Sequence, residues 1–180
     1  MLSLQRRHVD HEVARRALDD ASARLALIGR ISRALYDPSG RGQDIRAFLL
    51  TLTADILDAS GRNDVRAEVS APEALILASD VTVPLALVVA ESVSNAIEHG
   101  LPDRPGTIHI TLESDEGELT LRVMDDGKGV PLGFDASASQ SLGLRIANAL
   151  AMQLGGRFAI HPRATGGTIA RLDLPLAATC

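Results

Sequence analysis

The chain has 180 residues, of which 46% are apolar and 23% are charged, and its formal net charge is −5. These proportions are typical of a folded globular protein and exclude an intrinsically disordered chain. The balance of 23 acidic against 18 basic residues argues against a protein that coats nucleic acid, because such proteins normally present a basic face.

The first 60 residues have a helical pattern throughout. Between residues 11 and 36, apolar side chains recur at helical spacing on one stripe, formed by Leu18, Ala21, Leu25, Ile28 and Leu35. The segment Asp37-Pro38-Ser39-Gly40 ends this helix. A second helix is predicted between an N-cap at Asp44 and Gly61, with a buried face formed by Ile45, Phe48, Leu49, Leu52 and Ile56.

After residue 61 the pattern becomes mixed. The sequence predicts six short strands, at residues 65–71, 75–78, 107–113, 118–124, 157–161 and 168–174. Helices are predicted at 83–99, with Pro84 near the first turn, and at 142–154. The segment 125–141 is rich in Gly and Ser, has no period and is predicted to be a loop. This order predicts an α+β fold, a mixed sheet with helices on one face.

The helix at 83–99 carries three polar residues spaced four apart. Glu91, Asn95 and His99 therefore share one face of the helix. A carboxylate and an amide oxygen on one ridge are suitable ligands for Mg²⁺, directly or through water. A solvated polar face explains the same spacing, and for this motif taken alone it is the more common explanation.

The segment Asp125-Asp126-Gly127-Lys128-Gly129 stands at the end of a predicted strand. A carboxylate at Asp125 can accept a hydrogen bond from an exocyclic amine such as that of adenine. Glycines at 127 and 129 allow the backbone to turn sharply and to approach a ligand closely. An ordinary Asp-Gly turn is the alternative interpretation, with about equal weight for this motif alone.

Two more glycine motifs follow. Ser141-Leu142-Gly143-Leu144-Arg145-Ile146 opens a helix, where unpaired N–H groups and the helix dipole can bind a phosphate, although the glycine can equally belong to a cap. Thr165-Gly166-Gly167-Thr168 is a tight turn that can simply join two strands. Neither motif is specific by itself.

In this order and spacing, the four motifs between residues 91 and 168 resemble the Bergerat-type ATP-binding fold of histidine kinases. The resemblance implies a two-layer α/β sandwich preceded by an α-helical hairpin. Residues 1–61 are then a helical region of the dimerisation and phosphotransfer type, and residues 62–180 are the ATP-binding domain. ATP and Mg²⁺ are the implied cofactors.

The same resemblance implies a role for each motif residue. Asn95 ligates Mg²⁺, and Glu91 acts as a base or positions a water, so both are catalytic and metal-binding candidates. Residues 130–141 form a lid over the nucleotide. The implied nucleotide-binding set is Asn95, His99, Asp125, Gly127, Gly129, Val130, Leu142, Gly143, Leu144, Gly167 and Thr168. Glu98 is a departure, because many histidine kinases have a basic residue there, and it puts one phosphate contact in doubt.

Upstream, Leu2-Ser3-Leu4-Gln5 and the helical segments at 12–18 and 28–36 resemble the dimerisation hairpin of a subgroup close to the HWE kinases. In that subgroup the phosphoacceptor segment precedes the Leu-Ser-Leu-Gln part, so the acceptor histidine is expected to be absent from this chain. The Trp-containing motif of the HWE group is also missing. His8 and His11 lack the acceptor context and are interpreted as polar residues of a helix connection.

The prediction is an ATP–Mg²⁺-binding catalytic domain of a two-component sensor histidine kinase. Its expected partners are a second copy of the chain, through the N-terminal helices, and a response regulator or other phosphoacceptor protein. One alternative is an anti-sigma-factor-type serine protein kinase, whose nucleotide helix can look like residues 91–100. The other is a non-catalytic phosphotransfer or docking module, which the intact glycine motifs argue against.

The few aromatic residues, the single cysteine and the lengths of the apolar runs indicate which partners and which cellular compartment to expect. One Tyr, three Phe and no Trp leave little for a surface that stacks single-stranded nucleic acid. The single cysteine, Cys180, cannot form a disulfide within the chain, which favours a reducing compartment. No apolar run approaches the roughly 20 residues of a membrane span, and the N-terminus has no signal-peptide pattern. A cytoplasmic protein is expected.

Overall fold

The computed structural model describes residues 43–115, 117–139 and 141–175, together with Gly29. The predicted helix at 11–36 with its apolar stripe, and the histidines His8 and His11, lie outside the described residues. The dimerisation hairpin and the domain boundary at residue 61 therefore stay predictions.

Helix α1 (Ile45–Ser60) has both of its predicted ends. The Asp44 carboxylate accepts hydrogen bonds from the backbone N–H groups of Arg46, at 2.9 Å, and Ala47, at 3.4 Å. Gly61 ends the helix in the left-handed region, with a φ of 67°, and its N–H donates to the Asp58 carbonyl. All five predicted apolar residues of its inner face are buried, and the helix packs against α2 and β2, described below.

A five-stranded mixed sheet forms one layer of the fold. Its strands are β2 (Val65–Ser70), β4 (Gly106–Asp115), β5 (Glu118–Asp125), β6 (Arg157–Pro162) and β7 (Thr168–Pro175). Their order is β2-β4-β5-β7-β6, with β2 and β4 parallel and the other neighbours antiparallel. A separate two-stranded sheet pairs β1 (Gln43–Asp44) with β3 (Ile76–Leu77).

The second layer is helical. Helix α2 (Ser79–Asn95) continues into a π-helical turn (Ala96–Gly100), and α3 (Leu142–Gln153) lies beside it. Helix α2 also contacts α1 and β5, and α3 contacts β6 and β7. The aliphatic residues of α2 that fill the space between the layers are almost completely buried: Leu85, Val88, Val89 and Val93. The predicted two-layer α/β sandwich is confirmed.

Helix α2 differs from its prediction at both ends. It begins at Ser79, four residues before the predicted start, and Pro84 lies inside it. The Ala78 carbonyl accepts hydrogen bonds from the N–H groups of Val81 and Thr82 and from the Thr82 hydroxyl. No side chain caps this first turn, so the sequence contains no capping signal for the start of the helix. At the other end, Leu101 N–H donates to the Ala96 carbonyl over five residues, which widens the last turn.

Arg62 holds the loop that follows the π-helical turn. Its guanidinium donates to the backbone carbonyls of Leu101, at 2.9 Å, and Arg104, at 2.7 Å. The same group pairs with Asp64, and this hydrogen-bonded ion pair lowers the pKa of the Asp64 carboxyl and raises the pKa of Arg62. The chain leaving the π-helical turn is thereby tied to the start of β2.

Within the described part of the chain, one helical stretch, Ser79–Gly100, is long and apolar enough to cross a membrane by length and composition. Most of its apolar window, 61%, is buried inside the domain, as expected for a core helix. Asp80, Glu91 and Glu98 interrupt it, which explains why no uninterrupted apolar run is visible in the sequence.

Candidate functional site

A cavity of about 360 Å³ lies between α2, the sheet and the loop before α3. Its helical wall is formed by Ser92, Asn95, Ala96, His99 and Gly100. Strand residues in its lining are Val123, Asp125, Ile160, Thr168 and Ala170. The remaining lining residues, from the loop and the start of α3, are Lys128, Gly129, Val130, Pro131, Phe134, Ser139, Ser141 and Leu144.

The helical wall consists of two neighbouring rows. Asn95 and His99 are four residues apart and form the row predicted from the sequence, and Glu91, 9% exposed, stands one turn before Asn95. Ser92, Ala96 and Gly100 form the second row, which the prediction missed. The second row ends at Gly100, which packs against the side chain of Asp125. This row therefore runs along the cavity wall toward the Asp125 carboxylate.

An apolar floor, formed by Val123, Ile160 and Ala170, lies on the sheet side of the cavity. Ala170 of β7 is in register with Val123 on one side and with Ile160 on the other, so the three residues form one row across three strands. Asp125 follows Val123 two residues later on the same face and is only 4% exposed. A buried carboxylate thus stands at the edge of an apolar surface.

Glycines surround Asp125 so closely that side chains have no room. We call Gly100, Gly127, Gly129 and Gly167 the glycine corner. A β-carbon added to Gly127 would overlap the Gly100 carbonyl, and one added to Gly167 would overlap the Asp125 carbonyl. Gly167 also has a φ of +91°, which disfavours other residues. The corner is fixed by backbone packing.

Four hydrogen bonds fix the corner further. Asp125 Oδ1 accepts from the Gly127 N–H at 2.8 Å, and the Lys128 N–H donates to the Gly100 carbonyl at 2.9 Å. Arg163 Nη1 donates to the Asp125 carbonyl at 2.7 Å. The Arg163 N–H also donates to the Gly167 carbonyl, so this residue joins the β6–β7 turn to the end of β5.

The lid segment, residues 130–139 and 141, borders the cavity without forming a helix or strand. Asp135 Oδ1 accepts from the Ser137 hydroxyl at 2.6 Å and from the Ser137 N–H at 2.8 Å. These hydrogen bonds hold the pKa of the Asp135 carboxyl below its usual range. Asn148 of α3 donates to the Ala136 carbonyl, which ties the segment to the helix. Leu132 is 92% exposed.

Seven of the predicted site residues line the cavity: Asn95, His99, Asp125, Gly129, Val130, Leu144 and Thr168. Glu91, Gly127, Leu142, Gly143 and Gly167 do not. Gly127 and Gly167 belong to the glycine corner, and Gly143 is buried in the first turn of α3. Leu142, in the same turn, is 46% exposed. That turn has no capping side chain and follows Ser141, which lines the cavity.

The sequence contained signals for some of the residues that were missed. Ser92 has the same helical spacing to Asn95 and His99 that a cavity-facing residue needs. Ile160 and Ala170 could be assigned only with the strand register, which the sequence does not specify. Arg163 lies outside all four motifs, and its contact depends on two turns meeting in space.

A two-layer sandwich whose polar helix, strand-end carboxylate and glycine turns surround one cavity defines an ATP-binding domain of the histidine-kinase type. Residues 80–178 match the family of histidine kinase-, DNA gyrase B- and HSP90-like ATPases, and the chain belongs to this family.

Curated relatives show which proteins of this ATPase family the chain resembles. A sensor histidine kinase, PdtaS of Mycolicibacterium smegmatis, is 32% identical over 186 residues, covering 98% of this chain and 36% of the relative. Blue-light-activated histidine kinase 2 of Erythrobacter litoralis is 29% identical over 177 residues, covering 97% and 44%. The chain thus spans less than half the length of these relatives.

Solved structures agree with this assignment. The histidine kinase domain of the Erythrobacter litoralis EL346 blue-light-activated kinase superposes with a TM-score of 0.70 at 26% identity, covering 86% of this chain and 72% of that one. The described domain is therefore an ATP-binding catalytic domain of the histidine-kinase type. The serine-kinase and docking-module alternatives are not favoured.

Proposed function

We propose that this domain binds ATP with Mg²⁺ in the cavity and supplies its terminal phosphoryl group to a histidine of a two-component signalling system. The observation that carries the proposal is the buried carboxylate of Asp125 at the edge of the apolar floor. A flat apolar surface with one acceptor beside it suits an aminopurine ring, which has two apolar faces and an amine at its edge.

Asp125 would select adenine through its exocyclic amine. The Gly127 N–H donates to Oδ1, so the backbone fixes the orientation of the carboxylate. An ionised carboxylate only accepts hydrogen bonds, so it pairs with the amine of adenine and repels the carbonyl that guanine has at the same position. Arg163 supports this geometry by holding the carbonyl of the same residue.

Asn95 and Glu91 are the proposed magnesium ligands, directly or through water. The described residues contain no group of three or more His, Cys, Asp or Glu side chains that could hold a metal ion. This donor set fits Mg²⁺, which commonly binds one or two protein oxygens, substrate phosphates and waters. When bound, the ion neutralises charge on the phosphates. Glu91 is also the proposed base or water-positioning residue.

The phosphates would lie at the start of α3 and near Lys128. The first turn of α3 presents backbone N–H groups, including those of Gly143 and Leu144, without a capping side chain. Lys128, the only lysine of the chain, lines the same cavity. This cation would replace the basic residue that many histidine kinases have at the position of Glu98, which is exposed here.

The wider assembly is part of the proposal. A homodimer through the N-terminal helices and a response regulator or other phosphoacceptor protein as partner are carried over from the histidine-kinase resemblance. A cytoplasmic location is carried over from the cysteine content and the apolar pattern of the sequence. We assign the acceptor role to neither His8 nor His11, because neither has the acceptor context of the family. The proposal includes neither nucleic-acid binding nor a membrane span.

The test compares two identical substitutions on adjacent residues. Asp125→Asn keeps an oxygen for the Gly127 N–H but turns an amide NH₂ toward the base, so ATP affinity should fall by about 100-fold or more. Asp126→Asn removes the same charge from an exposed side chain outside the cavity lining, whose Oδ1 accepts from Thr107, and should change affinity little.

Calorimetry with ATP and Mg²⁺ on the full chain measures both variants. Equal affinities for wild type and Asp125→Asn would contradict the proposed base contact. Incubation with ATP labelled at its terminal phosphate then examines the acceptor: acid-labile label on this chain would mean that one of its own histidines is phosphorylated. Binding without label would place the acceptor upstream of these residues or on another protein.

A further inference from the structure

Ser92 has a buried hydroxyl group without a hydrogen-bond partner among the described residues. The residue is 5% exposed and lines the cavity. Two other hydroxyls, those of Thr53 and Thr111, are likewise buried without a partner, but neither residue lines the cavity. A buried unpaired hydroxyl is destabilising, and among these three hydroxyls of the described residues only that of Ser92 belongs to a residue that lines the cavity, where a ligand could satisfy it.

The surroundings of Ser92 point to the base rather than to the phosphates. Ser92 belongs to the same row as Ala96 and Gly100, which ends against the Asp125 carboxylate. The proposed metal ligands Glu91 and Asn95 belong to the neighbouring row. Ala96 and Gly100 have no polar side chain, and the floor is apolar, so Ser92 is the only side-chain hydrogen-bond donor in its row.

We propose that Ser92 is a specificity-determining residue of the base subsite, and that its hydroxyl donates a hydrogen bond to a ring nitrogen of adenine. This inference rests on the proposed function. The edge of adenine carries an amine with a ring nitrogen on either side, so it offers one donor between two acceptors. Asp125 can satisfy only the donor. Ser92 supplies the complementary donor from the same cavity wall.

The proposal predicts effects of opposite sign on stability and binding. Ser92→Ala removes an unsatisfied hydroxyl from the nucleotide-free protein, so its thermal midpoint should stay equal or rise. The same substitution removes one hydrogen bond from the complex, so ATP affinity should fall by about fivefold to thirtyfold. A purely structural serine would not combine these two results.

Thr53→Val is the matched control. Thr53 is 2% exposed, has an unpartnered hydroxyl like that of Ser92, and lies in α1 outside the cavity lining. Its replacement by the similarly shaped valine should also leave the thermal midpoint equal or higher. ATP affinity should remain that of the wild type, since no nucleotide contact is removed.

The deciding experiment is calorimetry of the 180-residue wild-type chain and both variants with ATP, 1-deaza-ATP and 7-deaza-ATP. One deaza analogue should bind the wild type more weakly than ATP does and should lose nothing further in Ser92→Ala. An equal loss for all three nucleotides, or no loss of ATP affinity in Ser92→Ala, overturns the Ser92 assignment while ATP binding by the wild type stands. Failure of the wild type to bind ATP overturns the proposed function and this inference with it.

Discussion

The glycine corner and the lid segment border the same cavity but are held in different ways. In the corner, backbone atoms pack so closely that a β-carbon at Gly127 or Gly167 would overlap a neighbouring carbonyl. In the lid segment, hydrogen bonds form the contacts: Asp135 accepts from Ser137, Asn148 donates to the Ala136 carbonyl, and two backbone N–H groups donate to carbonyls within the segment. Steric exclusion fixes one region, and a few hydrogen bonds hold the other.

This difference agrees with the functions proposed for the two ends of the site. The base end must present Asp125 in one orientation, and close backbone packing allows no alternative at low cost. The lid end would have to open and close around the phosphates, and such segments are usually held by few buried contacts. The exposed Leu132 and the absence of helix or strand in the described lid residues agree with that role.

The largest expected effect comes from two adjacent glycines. Gly166 and Gly167 have nearly the same φ, +92° and +91°, but a β-carbon at Gly166 meets nothing within 4 Å. Gly166→Ala should therefore cost only the backbone strain, about 1 kcal/mol. Gly167→Ala adds the overlap with the Asp125 carbonyl and should lower the free energy of unfolding by more than about 3 kcal/mol. The same substitution should also abolish ATP binding.

Urea unfolding of the two alanine variants measures this difference. Equal free energies of unfolding would show that the corner yields easily, and the contrast between the two regions would then fail. A folded Gly167→Ala protein with wild-type ATP affinity would contradict the stated role of the corner in orienting Asp125.

The second expected effect concerns the arginine that joins the two turns. Arg163→Met removes the charged hydrogen bond to the Asp125 carbonyl and should lower the free energy of unfolding by about 1.5–3 kcal/mol. ATP affinity should fall as well, because the orientation of Asp125 loses a support. Arg157→Met, at the exposed start of β6, the strand that precedes Arg163, is the control and should stay within about 0.5 kcal/mol of wild type. Denaturant unfolding and calorimetry on both variants give the answer, and equal results would remove Arg163 from the corner.

Sequence reasoning succeeded where a local signal determines the structure. Asp44 and Gly61 mark the two ends of α1, since a cap acts within a few residues of the chain. The motif glycines were predicted from local turn patterns in the same way. At Gly127, however, the structural reason for a glycine differs from the predicted sharp turn. There the glycine is required by the Gly100 carbonyl, a contact between distant parts of the chain, and its φ is not positive.

Contacts between segments that are distant in the chain could not be predicted from the sequence. The floor needs Ala170 between Val123 and Ile160, and this register depends on how three strands pair. The extra turn at the start of α2 has no capping side chain at Ala78 to announce it. Ser92 looked like an ordinary helix residue because burial without a partner becomes visible only in three dimensions.

The smallest expected effect is a titration confined to the lid segment. The Ser137 hydroxyl and N–H lower the pKa of the Asp135 carboxyl, so the turn is stabilised above the usual aspartate pKa and loses that stabilisation as the pH falls through the depressed value. The Ser137 amide signal in NMR should therefore shift at a lower pH than is usual for aspartate. Asp135→Asn should abolish the shift and leave global unfolding unchanged, because the side chain is exposed. A Ser137 signal that titrates in the ordinary aspartate range would show that this turn does not persist in solution, and the lid segment would then be tied to the domain through Asn148 alone among these contacts.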